Sequence, residues 1–303
     1  MENRRNPQHQ TTMGDSIAVS LHEGFTRHVV EGTSIGYHTY GLDEGRDSDQ
    51  VDHVDYGRTA CLCVPEVGLS AVTCFHTLLV ASPPKALLNN KYYMILVDDL
   101  DEETISAIVR DRQLKEVLGL AVGNGAHLLA RMARSIPLIG LVLISPSSKK
   151  ASWFEYGTGS LAAMKLWRSG WTKGTLNHFA ARLFSPATRQ YMGGDSALLQ
   201  AFRQDLRQLD PHKVYHTYKT ALSRDSILED VRERIKCRVL LIVGAQSIYY
   251  GESMELAQRL DKSRLSIFEV ERSGTWANQE SVGSILGVID TFLVGLQQEG
   301  YGL

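Results

Sequence analysis

The chain has 303 residues, 43% apolar and 22% charged, an ordinary globular composition with enough apolar material for a large core. A formal net charge of −2 excludes a global electrostatic pull toward nucleic acid or anionic membrane, and no apolar run approaches the length that spans a bilayer. The four cysteines, Cys61, Cys63, Cys74 and Cys237, form no C-x-x-C pair, which predicts buried thiols in a reducing compartment rather than a disulfide framework or a zinc site.

Segment 1–16 is polar, carries Arg4-Arg5 and lacks an apolar signal region, so it is expected to be disordered and the protein cytoplasmic. From about residue 25 strand-like runs alternate with helical patterns, which predicts a mostly parallel sheet with helices on both faces. Runs 26–30 and 33–40 read as an opening hairpin, and 43–56 as a polar, acidic loop. A short buried strand at 60–64 is followed by Pro65-Glu66-Val67-Gly68. The next strand, 92–97, ends in Asp98-Asp99-Leu100-Asp101-Glu102. That acidic run has neither the turn glycine nor the alternation of a calcium loop; it reads as the solvated start of a helix over 103–113, where carboxylates favour the N-terminus.

Strand 117–122 then breaks abruptly into a helix over 125–135, through Leu120-Ala121-Val122-Gly123-Asn124-Gly125-Ala126-His127. This is the small-x-nucleophile-x-small context of a nucleophile elbow, the strand-to-helix turn of α/β-hydrolases, but Gly123 stands where Ser, Cys or Asp should. Gly is also the least strained occupant of such a turn, so Gly123 reads as support for the fold. His127, one turn further on, reads as a helix-face histidine packed on the sheet. His76 and Cys74 are two residues apart, a spacing that does not turn them toward each other as a catalytic pair.

After strand 138–144 the pattern changes. Between 147 and 226 strand signals vanish, and helical segments carry Trp153, Phe154, Trp167, Trp171, Phe179, Phe184 and Tyr191. The expected organisation is an α/β-hydrolase-like core over 17–146 and 227–303 with a helical cap at 147–226. The cap tryptophans Trp153, Trp167 and Trp171 read equally as core of the insertion or as an exposed patch for a partner. Lys149-Lys150 reads as an ordinary solvated pair. Strands follow at 238–243 and 265–270, and a final helix at 279–296 marks one face with Val282, Ile285, Leu286, Ile289, Phe292, Leu293 and Leu296.

Hydrolases of this fold run nucleophile, acid, His along the chain. The acid position after strand 238–243 holds Ser247, and the His position after the last strand, in Arg272-Ser273-Gly274-Thr275-Trp276, holds Thr275. No histidine follows His216, so no shift of registry supplies the base. The loop that normally lends oxyanion donors reads Pro65-Glu66: Pro has no N–H, and Glu brings the wrong sign of charge. Three empty positions together read as a lost active site, whose residual rate would be only about 10³ to 10⁴ over water. No metal or cofactor is expected; Pro65, Glu66, Asn124, Trp153, Trp167 and Trp171 are the candidate pocket or partner residues.

At this point several segments resemble the N-myc downstream-regulated (NDR) family. Ala121-Val122-Gly123-Asn124-Gly125-Ala126-His127-Leu128-Leu129-Ala130-Arg131 is similar to its degenerate elbow, and Val64-Pro65-Glu66-Val67-Gly68-Leu69 with Cys74-Phe75 to its loop after the third strand. Ser152-Trp153-Phe154-Glu155-Tyr156 resembles the start of its cap, Ser223-Arg224-Asp225 the end of it, and Gly300-Tyr301-Gly302 its tail. The resemblance covers roughly 16–303, with wording closer to plant or algal members, although 98–117 is shorter than in the family and the cap apolar residues differ in places. It implies a non-catalytic α/β-hydrolase fold, cytoplasmic, acting in signalling, stress response or trafficking through protein partners. Two other functions stand beside it: a sensor holding a small apolar ligand or lipid in the vestigial pocket, and a hydrolase with relocated residues.

Overall fold

A computed structural model of the protein describes residues 24–41, 58–83, 85–191 and 197–300. The expected disordered segment 1–16, the acidic loop 43–56 and the Tyr301-Gly302 tail lie outside the described residues.

Among the described residues eight strands form one sheet: β1 Phe25–Val29, β2 Gly36–Tyr40, β3 Thr59–Val64, β4 Tyr92–Val97, β5 Val117–Val122, β6 Leu138–Ile144, β7 Arg238–Gly244 and β8 Leu265–Val270. Their order is β1-β2-β4-β3-β5-β6-β7-β8. Strand β2 pairs antiparallel with both β1 and β4, and every pairing from β4 to β8 is parallel. Strands β4 and β5 are buried along their whole length, because YYMILV and VLGLAV are apolar on both faces and helices cover both. One face packs on Phe75, Leu78, Ile285 and Leu293, the other on Ile105, Leu129 and Leu256. This is the α/β-hydrolase fold.

On the core the helices are α1 Ala71–Ala81, α2 Leu87–Lys91, α3 Glu102–Asp111 and α4 Gly123–Arg131, all before β6. Five more lie within residues 147–226 among the described residues: α5 Trp153–Ser169, α6 Lys173–Leu183, α7 Pro186–Tyr191, α8 Ala197–Gln208 and α9 Pro211–Leu222. The chain closes with α10 Val231–Arg234, α11 Tyr250–Arg259, α12 Ala277–Glu280 and α13 Val282–Gln298. No helix among the described residues is long and apolar enough to cross a membrane.

Three local outcomes differ from the sequence expectations. Helices α1 and α11 fill stretches that strand and motif patterns left unassigned; α1 is started by Ser70, whose hydroxyl accepts from the Thr73 N–H at 3.0 Å. The elbow helix starts at Gly123 itself. The final helix is two, broken at Ser281, which leaves helical geometry with φ −142°.

The acidic run is a helix start. Asp101 caps α3, accepting from the Thr104 N–H at 2.7 Å and its hydroxyl at 2.8 Å. Asp101→Ala should lower the unfolding free energy by about 1 kcal/mol, measured by urea unfolding, with the sheet signal unchanged.

Candidate functional site

Strand β5 delivers Gly123 into the turn with φ 55°, a left-handed backbone that side-chain-bearing residues rarely adopt. Two residues on, α4 passes so close to the loop after β3 that a Cβ on Gly125 would sit 2.2 Å from the Pro65 carbonyl oxygen. Hence Gly125, and hence the small residue after the elbow. A Cβ on Gly123 would lie 1.6 Å from Glu66 Oε2. The carboxylate of Glu66 therefore fills the space in which a nucleophile would stand.

The main-chain N–H of Asn124 donates to Glu66 Oε2 at 2.5 Å, and Asn124 Nδ2 donates to Oε1 at 2.7 Å. In an acyl-transfer enzyme the N–H of the residue after the nucleophile belongs to the oxyanion hole. Here that donor is occupied by an internal carboxylate. Burial pushes the Glu66 carboxyl above its ordinary range, opposed by the positive charge of Arg182, the two Asn124 bonds and Arg224.

Chain order assigns the acid and base positions to Ser247 and Thr275, and the fold brings both to Gly123. Ser247 Oγ and Thr275 Oγ1 are 2.9 Å apart, and Thr275 Cγ2 would be 3.3 Å from a Cβ on Gly123. A hydroxyl pair stands where an acid–imidazole pair would be. Neither member takes a proton near neutral pH, so the pair orients and packs but supplies no base.

Around this centre lies a buried ionic network that sequence patterning does not reveal. Asn124 Nδ2 donates to Tyr249 OH at 2.8 Å, and Arg182 Nη2 donates to the same oxygen. Arg182 meets Glu155 at 3.4 Å. Arg224 grips both Glu155 oxygens, at 3.0 and 2.9 Å, and reaches Glu252 at 3.5 Å. Glu252 in turn accepts from the N–H groups of Ser148 and Lys149 at 2.7 and 2.9 Å. Burial raises the Tyr249 phenol well above its usual range, so it stays neutral while its oxygen accepts from Asn124 and Arg182. Glu155 and Arg224 stand in the segments that resemble the family's cap boundaries; Arg182 and Tyr249 carry no sequence signal.

The candidate tryptophans scatter. Trp153 and Trp167 are exposed, at 93% and 54%. Trp171 is half-buried, donating to the Leu209 carbonyl at 2.8 Å and meeting the Phe179 ring edge-on at 5.6 Å. None of them lines the elbow. Cys74 is buried within α1, and its carbonyl oxygen accepts from Trp276 and Asn278 at 3.1 and 2.8 Å. All four cysteines are buried and unbridged.

His127 is buried, its Nδ1 3.2 Å from the Ser147 carbonyl oxygen. That oxygen only accepts, so Nδ1 carries the proton. Burial, helped by the charge of Arg224, lowers the imidazole to about 4, so the ring is neutral at pH 7 and Nε2 offers a lone pair with no partner among the described residues. The ring lines a cleft of about 540 Å³ that also touches Asn124, Leu128, Arg131 and Lys219, between α4 and α9. No group of three His, Cys, Asp or Glu among the described residues is placed to hold a metal ion.

The sequence matches the Ndr family over residues 85–300. Its relatives include Protein NDL1 of Arabidopsis thaliana, 24% identical over 82% of this chain and 77% of that protein. They also include the pollen-specific protein SF21 of Helianthus annuus, 23% identical over 93% of this chain and 84% of that protein. Protein NDRG2 of Danio rerio is 23% identical over 79% and 68%. Among solved structures, a thermophilic esterase from Thermogutta terrifontis superposes with TM-score 0.70 at 14% identity, covering 90% of this chain and 98% of that one. An enol-lactonase from Burkholderia xenovorans LB400 gives 0.69 at 13%, covering 89% and 100%. At these identities the superpositions carry the fold alone.

Gly123→Ser should destabilise the protein by more than about 2 kcal/mol, since Cβ meets a buried carboxylate, and Glu66→Ala in the same chain should recover a large part of that loss in a double-mutant cycle. Stability should also fall as pH drops. His127, at about 4 when folded, binds fewer protons than the unfolded chain below its ordinary 6.5. Its contribution is therefore complete above about pH 6.5 and lost toward pH 4, roughly 3 kcal/mol in all. His127→Leu should flatten that part of the pH–stability curve in urea titrations, whatever it does to absolute stability.

Proposed function

The chain belongs to the Ndr family, and from that premise we propose that it is a catalytically silent α/β-hydrolase scaffold, cytoplasmic, acting in signalling or stress response through protein partners. One observation carries the silence: the Glu66 carboxylate occupies both the nucleophile's space beside Gly123 and the Asn124 N–H that would bind an oxyanion. A nucleophile supplied by mutation would still meet negative charge where negative charge must develop, which raises the barrier. The Ser247–Thr275 pair adds no general base. A filled elbow with no general base beside it supports a function carried by surfaces rather than by turnover. The family resemblance supplies the direction toward signalling partners.

A second reading has its own support. The cleft is lined by His127, whose buried Nε2 has no partner among the described residues, together with Asn124 and Leu128. This favours a small, uncharged, hydroxyl-bearing ligand at the side of the elbow, since the elbow itself is filled. Such a ligand would raise the thermal midpoint of the native protein and leave that of His127→Leu unmoved; a panel of lipids and hormones with no shift rejects it.

The decisive measurement for the first reading is hydrolysis of short- and long-chain acyl esters by the purified protein, with fluorophosphonate labelling of the same sample. Silence in both is expected. Turnover with stoichiometric labelling would place a nucleophile elsewhere and overturn the reading.

A further inference from the structure

A net charge of −2 hides an uneven distribution. Residues 147–226 hold twelve Lys and Arg against five Asp and Glu, a surplus of seven positive charges, so the rest of the chain is acidic. Helices α5, α6 and α9 carry Lys165, Arg168, Lys173, Arg182, Lys213 and Lys219. Their single acidic residue, Glu155, is turned inward onto Arg182 and Arg224.

Helix α5 is apolar on two sides. Its inner side is made of Gly159, Ala162, Ala163 and Leu166, all buried; a Cβ on Gly159 would collide with Leu222 and Tyr218 of α9. Its outer side exposes Trp153 at 93%, Phe154 at 80%, Leu161 at 62%, Met164 at 61% and Trp167 at 54%. Phe154, Gly157, Leu161, Met164 and Arg168 succeed one another at helical spacing, a line about 21 Å long at 1.5 Å per residue. Exposed Lys150, Lys165, Arg168 and Lys173 belong to the same face and its ends, and none is ion-paired among the described residues. A contiguous apolar strip on a water-facing helix marks a surface made to be covered.

Its chemistry selects the cover. The aromatic pair Trp153–Phe154 protrudes, and the charge beside the strip is of one sign. A helix with bulky apolar residues on one side, Lys and Arg beside them and no outward carboxylate is the pattern of an element that lies in the interface of an anionic bilayer. We propose that the outer face of α5 docks on an anionic phospholipid membrane, Trp153, Phe154, Leu161 and Met164 entering the headgroup–acyl boundary and Lys150, Lys165, Arg168 and Lys173 lying over the headgroups. The inference is independent of the catalytic silence proposed above and survives if esterase activity is found.

The test uses the full chain and vesicles of phosphatidylcholine with and without phosphatidylserine, read by co-sedimentation and tryptophan emission. The native protein should sediment with the serine-lipid vesicles, several-fold less with phosphatidylcholine alone, and be released by salt. The double variant Trp153→Ser, Phe154→Ser should lower partitioning about tenfold, and Lys165→Glu, Arg168→Glu should erase the difference between the two vesicle types. Because these side chains are exposed, both variants should keep the native thermal midpoint. Failure of the native protein to sediment, or sedimentation of both variants at the native level, overturns the proposal. An emission shift with soluble polyglutamate but none with vesicles also overturns it, in favour of an acidic protein partner.

Discussion

A carboxylate as deeply buried as that of Glu66 persists only because each of its oxygens has a donor and two guanidinium groups stand nearby. Much of the surrounding structure follows from that constraint. Gly123 must lack a side chain because the carboxylate is in the way, and Asn124 must present both its main-chain and side-chain N–H to it. Tyr249, kept neutral by burial, accepts from both Asn124 and Arg182 and so links them. An arrangement that positions a nucleophile in hydrolases of this fold has become, in this chain, a receptor for one of its own side chains.

The same charges fasten the helical insertion to the sheet. Glu155 comes from α5 and Arg182 from α6, whereas Glu252 belongs to α11 on the core. Arg224, just beyond α9, holds Glu155 and Glu252 together and also donates to the Lys149 carbonyl at 2.8 Å. Buried ion pairs of this kind add little net stability over apolar packing, but loss of one partner strands a charge, at about 3–5 kcal/mol. Their effect is geometric. Ion pairs and a tyrosine hold the insertion over the elbow, and a cavity lies to its side, in the α4–α9 cleft.

With its inner surface committed to this network, the insertion presents its distinctive chemistry outward. Small residues on the inner side of α5 let it approach α9 closely, which turns the bulky Trp153, Phe154, Leu161 and Met164 to solvent. Within a chain of near-zero net charge, residues 147–226 carry a surplus of seven positive charges.

The strands were legible because apolar runs such as Tyr92–Val97 are short, bounded and buried on both faces. The empty chemical positions Gly123, Ser247 and Thr275 were legible from chain order alone, since a missing side chain needs no geometry to be missing. The sign of charge at Glu66 was legible too. Helices α1 and α11 were not, because their weak patterns fall between stronger strand signals. Nor was the fate of the tryptophans, since Trp153, Trp167 and Trp171 have the same composition-level reading yet only Trp171 meets Phe179 and the Leu209 carbonyl. What the amino-acid order determined by itself is the layered α/β framework and the residue types at Gly123, Ser247 and Thr275, which rest on local periodicity and chain order. What only the tertiary structure decided is that Glu66 fills the vacated centre and that Arg182, Arg224 and Tyr249 close over it. Those contacts join residues scores of positions apart, and only the packing of the insertion on the sheet brings them within hydrogen-bond reach.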